Sequence, residues 1–349
     1  MIKLAVMFGG KSTEHNISVI SGTSIISNLD KNKYEIFPIY IDLDGTFYKY
    51  TKKISDIVPL KLEEQITDIE PIENIFKYLE NIDVVFPVLH GLYGEDGTIQ
   101  GLLELIGKNY VGCKVLGSSL CMDKVYTKTI LRSCNIEQAK SMYIKKLEDK
   151  YIYIDDNFNR EVLDANKLSL KVEEYLKFPV FIKPSNSGSS VGVNKATNGL
   201  ELIKYLEEAF KYDAKVLIEE AIIGREVECA VLGNEEVITS HVGEILSAED
   251  FYSFDSKYKN KESTVIIPAP LEEGLEDKIR QLASKAYLAC DCKSLSRVDF
   301  FVEKDTNRII LNEINTLPGF TEISMYPKLM EHLGYSYSLI LDAIIETAI

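Results

Sequence analysis

The segment that most constrains the fold runs from Ser294 to Met325 and predicts two strands joined by the polar turn KDTNR. Side chains alternate between the two faces of a strand, so the residues that share a face can be read from the sequence. The residues expected on one face are Arg297, Asp299 and Phe301 on the first strand, and Ile309, Leu311, Glu313 and Asn315 on the second.

The polar residues of this face predict a metal site. A hairpin centred near Thr306 places Asp299 opposite Glu313 and Phe301 opposite Leu311. Directly opposed residues are ~5 Å apart, and two carboxylates at that distance repel each other unless a cation lies between them. Carboxylate and amide oxygens are ligands that Mg²⁺ accepts, together with nucleotide phosphates. The alternative is a solvated polar face on an edge hairpin.

Chain length and charge narrow the possible functions. The 349 residues are enough for two or three domains. The 54 acidic residues exceed the 39 Lys and Arg, and the net charge of −15 argues against nonspecific binding to nucleic acid or to an anionic membrane. A local site for a phosphorylated small molecule is still compatible with this charge. The first residues are too short for a signal sequence, and no segment is long enough to span a membrane.

The six cysteines are not arranged in CxxC pairs. We therefore expect reduced thiols, in the core or at the surface of a cytoplasmic protein. They are Cys113, Cys121, Cys134, Cys229, Cys290 and Cys292.

Two residues near the amino terminus are candidates for a ligand site. The run KLAVMFGG followed by HNISVISGTSIISNL predicts a strand, a tight turn and a helix, with Glu14 at the start of the helix. A carboxylate there favours a cation or an ammonium group as ligand, or it merely complements the helix dipole. His90 follows the strand IDVVFPVLHG, at the sheet edge where ligands bind in open α/β proteins. A structural histidine is the alternative.

A second group of residues points to phosphate binding. Lys124 lies in the first turn of the helix predicted over SSLCMDKVYTKTILRSC, which Ser118 or Ser119 can cap. In FPVFIKPSNSGSSVG, Lys183 ends a strand, and a loop of small residues follows whose backbone N–H groups can approach phosphates. The loop lacks the Walker A pattern. It is either a flap over nucleotide phosphates or a flexible hairpin tip.

Acidic residues and a long polar loop complete the candidates. Glu219 and Glu226 follow or lie within the predicted strands AKVLIEEAI and GREVECAVLG, where carboxylates can accept from an adenine amine and ribose hydroxyls. The stretch SAEDFYSFDSKYKNKEST has the length of a functional lid, with Lys257 and Tyr258 as its candidate reactive residues. Residues 145–170 have weak apolar periodicity, and we expect a surface excursion with one helix.

Taken together, these motifs resemble the D-alanine–D-alanine ligase family of the ATP-grasp superfamily. The matching segments occur in the family's order along nearly the whole chain: GGKSTEHNIS, LHGLYGEDGTIQG, SSLCMDK, FIKPSNSGSSVG, LIEEAI, GREVECAVLG, FYSFDSKY, SRVDFFV and LNEINTLPGFTEIS. Each motif is weak by itself, whereas the combination is specific.

The resemblance implies a fold of class α/β and α+β. An open, Rossmann-like α/β domain over residues 1–120 would bind substrate. A two-subdomain ATP-grasp fold would follow, with a central subdomain over 121–212 and a carboxy-terminal one over 213–349 that carries the lid and the metal site. The implied enzyme joins two D-alanines with ATP through an acyl phosphate, for peptidoglycan precursor synthesis.

The family pattern also implies roles for individual residues. Glu14 would hold the ammonium group of the first D-alanine, with support from His90. Arg297 and the backbone N–H of Gly319 would stabilise the tetrahedral oxyanion. Ser324 would hold the carboxylate of the second D-alanine.

Further residues are implied for ATP, the lid and the metal. Phosphates would be contacted by Lys124, Lys183 and Lys257, and adenine by Glu219 and the backbone near Ile222. Other implied ATP-binding residues are Ser189, Ser190, Glu226 and Phe301. A hydrogen-bonded trio of Ser189, Glu226 and Tyr258 would tie the flap to the lid. Two Mg²⁺ or Mn²⁺ ions would be bound by Asp299, Glu313 and Asn315.

The resemblance also implies the binding partners and the cellular location of the protein. Besides D-alanine and ATP, it implies a cytoplasmic homodimer without nucleic-acid or membrane partners.

Three positions depart from the family pattern. Ser253 and Phe254 stand where many relatives have Asp and Tyr, and Met325 stands where some have Leu. Because Lys257 and Tyr258 are retained, D-alanine is the expected second substrate. The alternative is a D-alanine–D-serine or D-alanine–D-lactate ligase.

Overall fold

The computed structural model describes residues 1–62, 64–246 and 264–349, which form three successive β-sheets with helices packed on them. The first sheet has the strand order β4-β3-β2-β1-β5-β6. Its strands are β1 (Ile2–Gly9), β2 (Tyr34–Ile41), β3 (Phe47–Tyr50), β4 (Ile69–Pro71), β5 (Val84–Val88) and β6 (Asn109–Tyr110). Its helices are α1 (His15–Asn28), α2 (Ile75–Leu79) and α3 (Thr98–Leu105), with a 3₁₀ turn at Ile54–Asp56.

The central strands of this sheet are parallel and are covered on both faces. Strand β1 pairs in parallel with β2 and β5. Leu4, Val6 and Phe8 pack in one core with residues of α1, whereas Ala5 and Met7 pack in a second core with residues of α2 and α3. A strand buried on both faces is typical of an open α/β sheet. The expected amino-terminal α/β arrangement is therefore confirmed.

Two helices connect the first sheet to the second, where we expected one. They are α4 (Val115–Met122) and α5 (Lys124–Ser133). The expected cap at Ser118 or Ser119 is wrong, because both serines lie inside α4. Asp123 has an extended backbone and accepts hydrogen bonds from Val125 N and Tyr126 N, so it ends α4 and caps α5.

The second sheet is antiparallel and has the order β11-β10-β12-β7-β8-β9. Its strands are β7 (Ser141–Leu147), β8 (Lys150–Ile154), β9 (Arg160–Leu163), β10 (Val180–Pro184), β11 (Asn194–Ala196) and β12 (Lys215–Glu220). Two helices, α6 (Ala165–Tyr175) and α7 (Gly199–Ala209), cover one face. Strand β12 lies beyond residue 212, and the proposed domain boundaries stay a prediction.

The expectation of a surface excursion over 145–170 is wrong. Strands β7, β8 and β9 occupy much of this segment, and the one expected helix is present as the first half of α6. Tyr151 packs in the core under α6 and α7, whereas Ile152 packs against Val125 on the opposite face. Because the strand buries side chains on both faces, it lacks the polar–apolar alternation that would have identified it.

The third sheet is also antiparallel, with the order β15-β14-β13-β16-β17. Its strands are β13 (Gly224–Gly233), β14 (Val237–Leu246), β15 (Thr264–Ile266), β16 (Leu295–Glu303) and β17 (Ile309–Asn315). The helices are α8 (Leu275–Ala289), α9 (Met325–His332) and α10 (Tyr337–Glu346). The α9–α10 end shares a core with the first sheet, where the rings of Phe86 and Phe320 meet edge to face at 6.3 Å. This contact holds the two sheets together beside the site.

The β16–β17 hairpin is formed as expected, except at one bulge. Asp299 pairs with Glu313, and Arg297 pairs with Asn315. The expected pairing of Phe301 with Leu311 is wrong, because Leu311 pairs with Phe300 instead. One extra residue, Asn312, shifts the register there. As a result, Leu311 is buried under α8 rather than on the face of Glu313.

All six cysteines are free thiols, and all but Cys134 are buried. Within the described ranges, no helix is both long and apolar enough to cross a membrane.

Candidate active site

The loops of the three sheets meet at a cavity of ≈ 130 Å³. The predicted site residues that line it are Glu14, His90, Lys124, Ser189, Arg297, Glu313, Asn315, Gly319 and Ser324. Pockets for drug-sized ligands measure about 300–1,000 Å³, so this cavity suits a smaller molecule. Its lining mixes carboxylates with Lys124 and Arg297, which suits a ligand that carries charges of both signs.

Glu14 faces this cavity rather than capping the helix that it begins. It is buried at the start of α1, and its side chain makes no capping hydrogen bond. A Cβ atom on Gly91 or on Gly188 would lie 2.5 or 2.6 Å from Glu14 Oε2. Ser189 Oγ also donates a hydrogen bond to Glu14 Oε1. The carboxylate is therefore enclosed by two loops from different sheets, which favours the ligand-binding interpretation.

His90 connects the first sheet to the loop after β17. Its Nδ1 lies 2.9 Å from the carbonyl oxygen of Leu317, and its Nε2 lies 3.1 Å from Ser21 Oγ. Since the carbonyl only accepts, Nδ1 carries the proton and Nε2 accepts from the Ser21 hydroxyl. Burial lowers the pKa of His90, which agrees with a neutral ring. In the structure, His90 positions the loop that carries Gly319.

Glu95 also forms a hydrogen bond to the loop after β17. No role was predicted for it, although it lies inside the motif GEDG. Its carboxylate accepts hydrogen bonds from Gly91 N and Leu317 N, both at 2.9 Å. Burial, together with the negative charge of Glu14, raises the pKa of Glu95 to about 7, although the two backbone N–H groups lower it. Glu95 therefore ties the loop after β5 to the loop after β17.

Arg297 is held between two acidic side chains on the third sheet. Its Nε and Nη2 donate to the two oxygens of Asp299 at 2.8 and 2.7 Å. Its Nε also lies 2.9 Å from Glu228 Oε2. Although burial lowers the pKa of Arg297, the charges of Asp299 and Glu228 raise it overall. The guanidinium thus remains a fixed positive charge at the cavity wall. Glu228 was not assigned a role from the sequence.

The predicted metal ligands are adjacent on the hairpin. Asp299 and Glu313 are directly paired, and Asn315 Nδ2 lies 2.9 Å from Asp299 Oδ2. In the described part of the chain, no three His, Cys, Asp or Glu side chains are grouped closely enough to hold a metal ion by themselves. The third ligand of such a site would be the amide oxygen of Asn315. Two carboxylates with one amide oxygen fit a hard divalent cation.

The small-residue loop after β10 is folded over the cavity. Lys124 Nζ donates to the carbonyl oxygen of Ser187 at 2.7 Å. Ser189 and Ser190 have φ angles of +47° and +59°, which form the tight turn at the loop tip. Asn186 is anchored by two hydrogen bonds to Asp213 Oδ2, both of 2.8 Å. The loop is therefore held as a flap, rather than as an unsupported hairpin tip.

Lys183 and Glu219 lie together on the same face of the second sheet. Their Nζ and Oε2 atoms are 2.6 Å apart. A second lysine, Lys128, places its Nζ 2.7 Å from Glu219 Oε1. Although burial by itself raises the pKa of Glu219, the two lysines lower it to about 2. Lys128 was missed from the sequence, where only its position one turn after Lys124 on α5 could have indicated it.

Gly319 and Ser324 face each other at the end of the cavity. A Cβ atom on Gly319 would lie 2.7 Å from Ser324 Oγ, so only glycine fits without a shift. Ser324 Oγ accepts from Thr321 N at 2.9 Å and lies 2.8 Å from Thr321 Oγ1. These contacts fix the hydroxyl at the start of α9, next to the buried Met325.

The other predicted residues that the structure describes do not line the cavity. Lys183, Ser190 and Glu219 lie on the second sheet and its flap, Ile222 lies between β12 and β13, and Glu226, Asp299 and Phe301 lie on β13 and β16. Glu226 and Phe301 are directly paired across these strands. Lys257 and Tyr258, with the departures at Ser253 and Phe254, lie outside the described residues.

The arrangement can place a small charged molecule next to groups that are chemically suited to phosphate. Fixed positive charge comes from Lys124 and Arg297, and Glu313 and Asn315 of the β16–β17 hairpin line the same cavity. Groups of this kind stabilise phosphoryl transfer mainly by positioning and by neutralising charge.

Comparison with known proteins agrees with this arrangement. Residues 3–113 match the family described as D-ala D-ala ligase N-terminus, and residues 150–346 match D-ala D-ala ligase C-terminus. The chain is 47% identical to D-alanine–D-alanine ligase of Caldicellulosiruptor bescii, over 100% of this chain and 95% of that protein. It is also 47% identical to the ligase of Clostridium acetobutylicum, over 99% and 97% of the two chains.

Solved structures of ligases also align with the whole chain. The VanG D-Ala:D-Ser ligase of Enterococcus faecalis aligns with a TM-score of 0.84 at 36% identity, over 100% of this chain and 99% of that one. D-alanine–D-alanine ligase of Bacillus anthracis, solved in complex with ATP, aligns at 0.75 and 32% identity, over 100% and 97%. The expected ATP-grasp fold is thereby confirmed. The chain belongs to the D-alanine–D-alanine ligase family.

Proposed function

We propose that this protein joins two D-alanine molecules to D-alanyl-D-alanine, with conversion of ATP to ADP and phosphate. The observation that carries the proposal is the convergence of Glu14, Arg297, Gly319 and Ser324 on one small cavity. The names of the relatives at 47% identity support the choice of substrate.

The first step activates a carboxylate. A carboxylate oxygen of the first D-alanine attacks the γ-phosphorus of ATP, the bond to the β-phosphate oxygen breaks, and an acyl phosphate and ADP form. Glu14 would hold the ammonium group of this D-alanine, because its buried carboxylate faces the cavity. His90 and Glu95 would keep the surrounding loops in place through their hydrogen bonds to Leu317.

The second step forms the peptide bond. The free amine of the second D-alanine attacks the acyl carbon, the tetrahedral species collapses, and inorganic phosphate leaves. Arg297 and the N–H of Gly319 would stabilise the oxyanion, and Ser324 would bind the carboxylate of the second D-alanine. The flap and the lid would exclude water, which otherwise hydrolyses the acyl phosphate. Lys257 and Tyr258 belong to that lid by sequence.

ATP would lie between the second and third sheets. Lys124, Lys183 and Lys257 would contact its phosphates, together with the flap residues Ser189 and Ser190. Adenine and ribose would be bound by Glu219, the backbone of Ile222, Glu226 and Phe301.

Two divalent cations, Mg²⁺ or Mn²⁺, would be held by Asp299, Glu313 and Asn315, whose oxygens suit such ions. Bound there, the cations would neutralise the negative charge of the ATP phosphates.

The acceptor is the part of the proposal that most needs a direct test, since one structural relative is a D-Ala:D-Ser ligase. A competition assay with D-alanine, D-serine and D-lactate at pH 6 to 9 identifies the product by mass spectrometry. We expect D-alanyl-D-alanine throughout, with activity rising toward alkaline pH as the acceptor amine loses its proton. Preferential ester at pH 6, or a D-serine product throughout, would contradict the choice of D-alanine.

We also propose a cytoplasmic homodimer. The free cysteines suit a reducing compartment. Exposed apolar side chains at Leu105, Val115 and Leu116 lie on α3 and α4, which contact each other. Light scattering should give twice the 39.5 kDa mass of one chain, and a value near 39.5 kDa would contradict the dimer.

A further inference from the structure

Glu219 is buried between two lysines that come from different elements. Lys128 lies on α5 and contacts Oε1, whereas Lys183 lies on β10 and contacts Oε2, at 2.7 and 2.6 Å. The side chains of Lys128 and Glu219 are only 8% and 7% exposed, and that of Lys183 is 17% exposed. One carboxylate is thus neutralised by two cations in a place with little access to water.

The two lysines differ in how firmly they are held. Lys128 Nζ also lies 3.3 Å from the carbonyl oxygen of Ala139, and Gln138 Nε2 donates to the carbonyl oxygen of Lys128 at 3.1 Å. The helix of Lys128 packs on the second sheet through Val125 and Leu217. Lys183 instead lies at the end of β10, directly before the flap.

The difference between the two lysines matters for nucleotide binding, an inference that rests on the function proposed above. There, Lys183 contacts phosphate while Glu219 contacts adenine. If Lys183 turned toward phosphate and Glu219 had no other cation, a buried carboxylate would be left unpaired, which is strongly unfavourable. Lys128 provides the second cation.

We propose that Lys128 is a positioning residue, which keeps Glu219 paired and oriented when Lys183 contacts the nucleotide. Lys128 itself does not touch the substrates in this proposal and acts through Glu219. Its removal should therefore weaken nucleotide binding, with a much smaller effect on the rate at saturating ATP and on the KM for D-alanine.

The test measures ADP binding in the presence of Mg²⁺ by calorimetry, with steady-state kinetics alongside. For Lys128→Met we expect the Kd of ADP and the KM of ATP to rise roughly tenfold or more, because the carboxylate loses its fixed partner. The value of kcat should change less than about threefold, and Lys128→Arg, which keeps the charge, should restore the affinity to within about threefold. The matched control is Arg132→Met, one turn further along α5, where Arg132 pairs with Asp156 at the surface. It should leave the ADP affinity unchanged.

A double-mutant cycle with Glu219→Gln separates this role from a structural one. Once Glu219 is neutral, Lys128→Met should weaken ADP binding by no more than about twofold further. A fully additive loss, or wild-type ADP affinity in Lys128→Met, would overturn the proposal. If Lys128→Met does not fold, Lys128→Gln replaces it in the same cycle. Wild-type ADP affinity in Glu219→Gln would instead contradict the proposed adenine site itself.

Discussion

The hydroxyl of Ser189, at the tip of the loop after β10, donates a hydrogen bond to the carboxylate of Glu14 at the start of α1, 175 residues earlier in the chain. This contact joins the first sheet to the flap of the second. Gly188 lies against the same carboxylate, so the flap and the proposed ammonium-binding residue are in direct contact. Closure of the flap and binding of the first D-alanine should therefore be coupled.

Ser189→Ala tests this coupling. We expect the KM for both ATP and D-alanine to rise about tenfold, since a hydrogen bond to a buried carboxylate is lost. Steady-state kinetics with each substrate varied in turn provides the measurement. Ser133→Ala, an exposed serine on α5, serves as the control and should behave as the parent protein. A rise in only one of the two KM values would argue against coupling.

Glu313→Gln tests the proposed cation site on the β16–β17 hairpin. The substitution removes one negative charge opposite Asp299 and should lower turnover by about 10²-fold or more, with an unchanged melting temperature. ADP release and thermal unfolding are the measurements. Glu303→Gln, near the turn of the same hairpin, is the matched control and should retain activity. A Glu313→Gln rate within about threefold of the parent would show that Glu313 is not a cation ligand.

The hairpin also shows which features can be predicted from sequence. The assumed hairpin centre at Thr306 gave the correct pairing of Asp299 with Glu313 because the extra residue Asn312 shifts the register by one residue before this pair. The bulge at Asn312 was not predictable, since an extra residue leaves no clear mark in the pattern. The pairing of Phe301 failed for that reason.

Other parts of the site depend on contacts between distant segments. Glu95 gains its role from Leu317, 222 residues away, and Lys128 gains its role from Glu219 on another element. Neither partner can be found from local periodicity. In contrast, Glu14, Lys183 and Arg297 stood out because a charged residue at the end or on the face of an apolar element is unusual.

Stability should depend on the protonation of Glu95. Its pKa is raised from 4.5 to about 7, so its stabilising contribution is complete below pH 4.5 and is lost as the pH rises through about 7. From pH 4.5 to 8 the loss should approach roughly 3 kcal/mol. Denaturant unfolding of the parent and of Glu95→Gln across this range isolates the effect. As the pH rises, the unfolding free energy of the parent protein should fall relative to that of Glu95→Gln. Parallel curves of unfolding free energy against pH would contradict this prediction.

Gly319→Ala should separate catalysis from folding. The new Cβ would lie 2.7 Å from Ser324 Oγ and would displace either the backbone N–H proposed to bind the oxyanion or the Ser324 hydroxyl. We expect kcat/KM to fall about 10²-fold, the scale for a small misplacement of reacting groups. The control is Gly101→Ala in α3, where a Cβ meets no atom within 4 Å. That variant should keep full activity and gain about 0.5–1 kcal/mol of stability. Equal kinetics of the two variants would exclude the proposed role of Gly319.

An isotope-transfer experiment determines whether a D-alanine carboxylate attacks ATP in this cavity. D-Alanine labelled with ¹⁸O in its carboxyl group is incubated with ATP, Mg²⁺ and the protein, and the products are analysed by mass spectrometry. Our account predicts ADP, D-alanyl-D-alanine and phosphate in equal amounts, with one ¹⁸O atom in each phosphate. Phosphate without the label, label in AMP, or no dipeptide would contradict it.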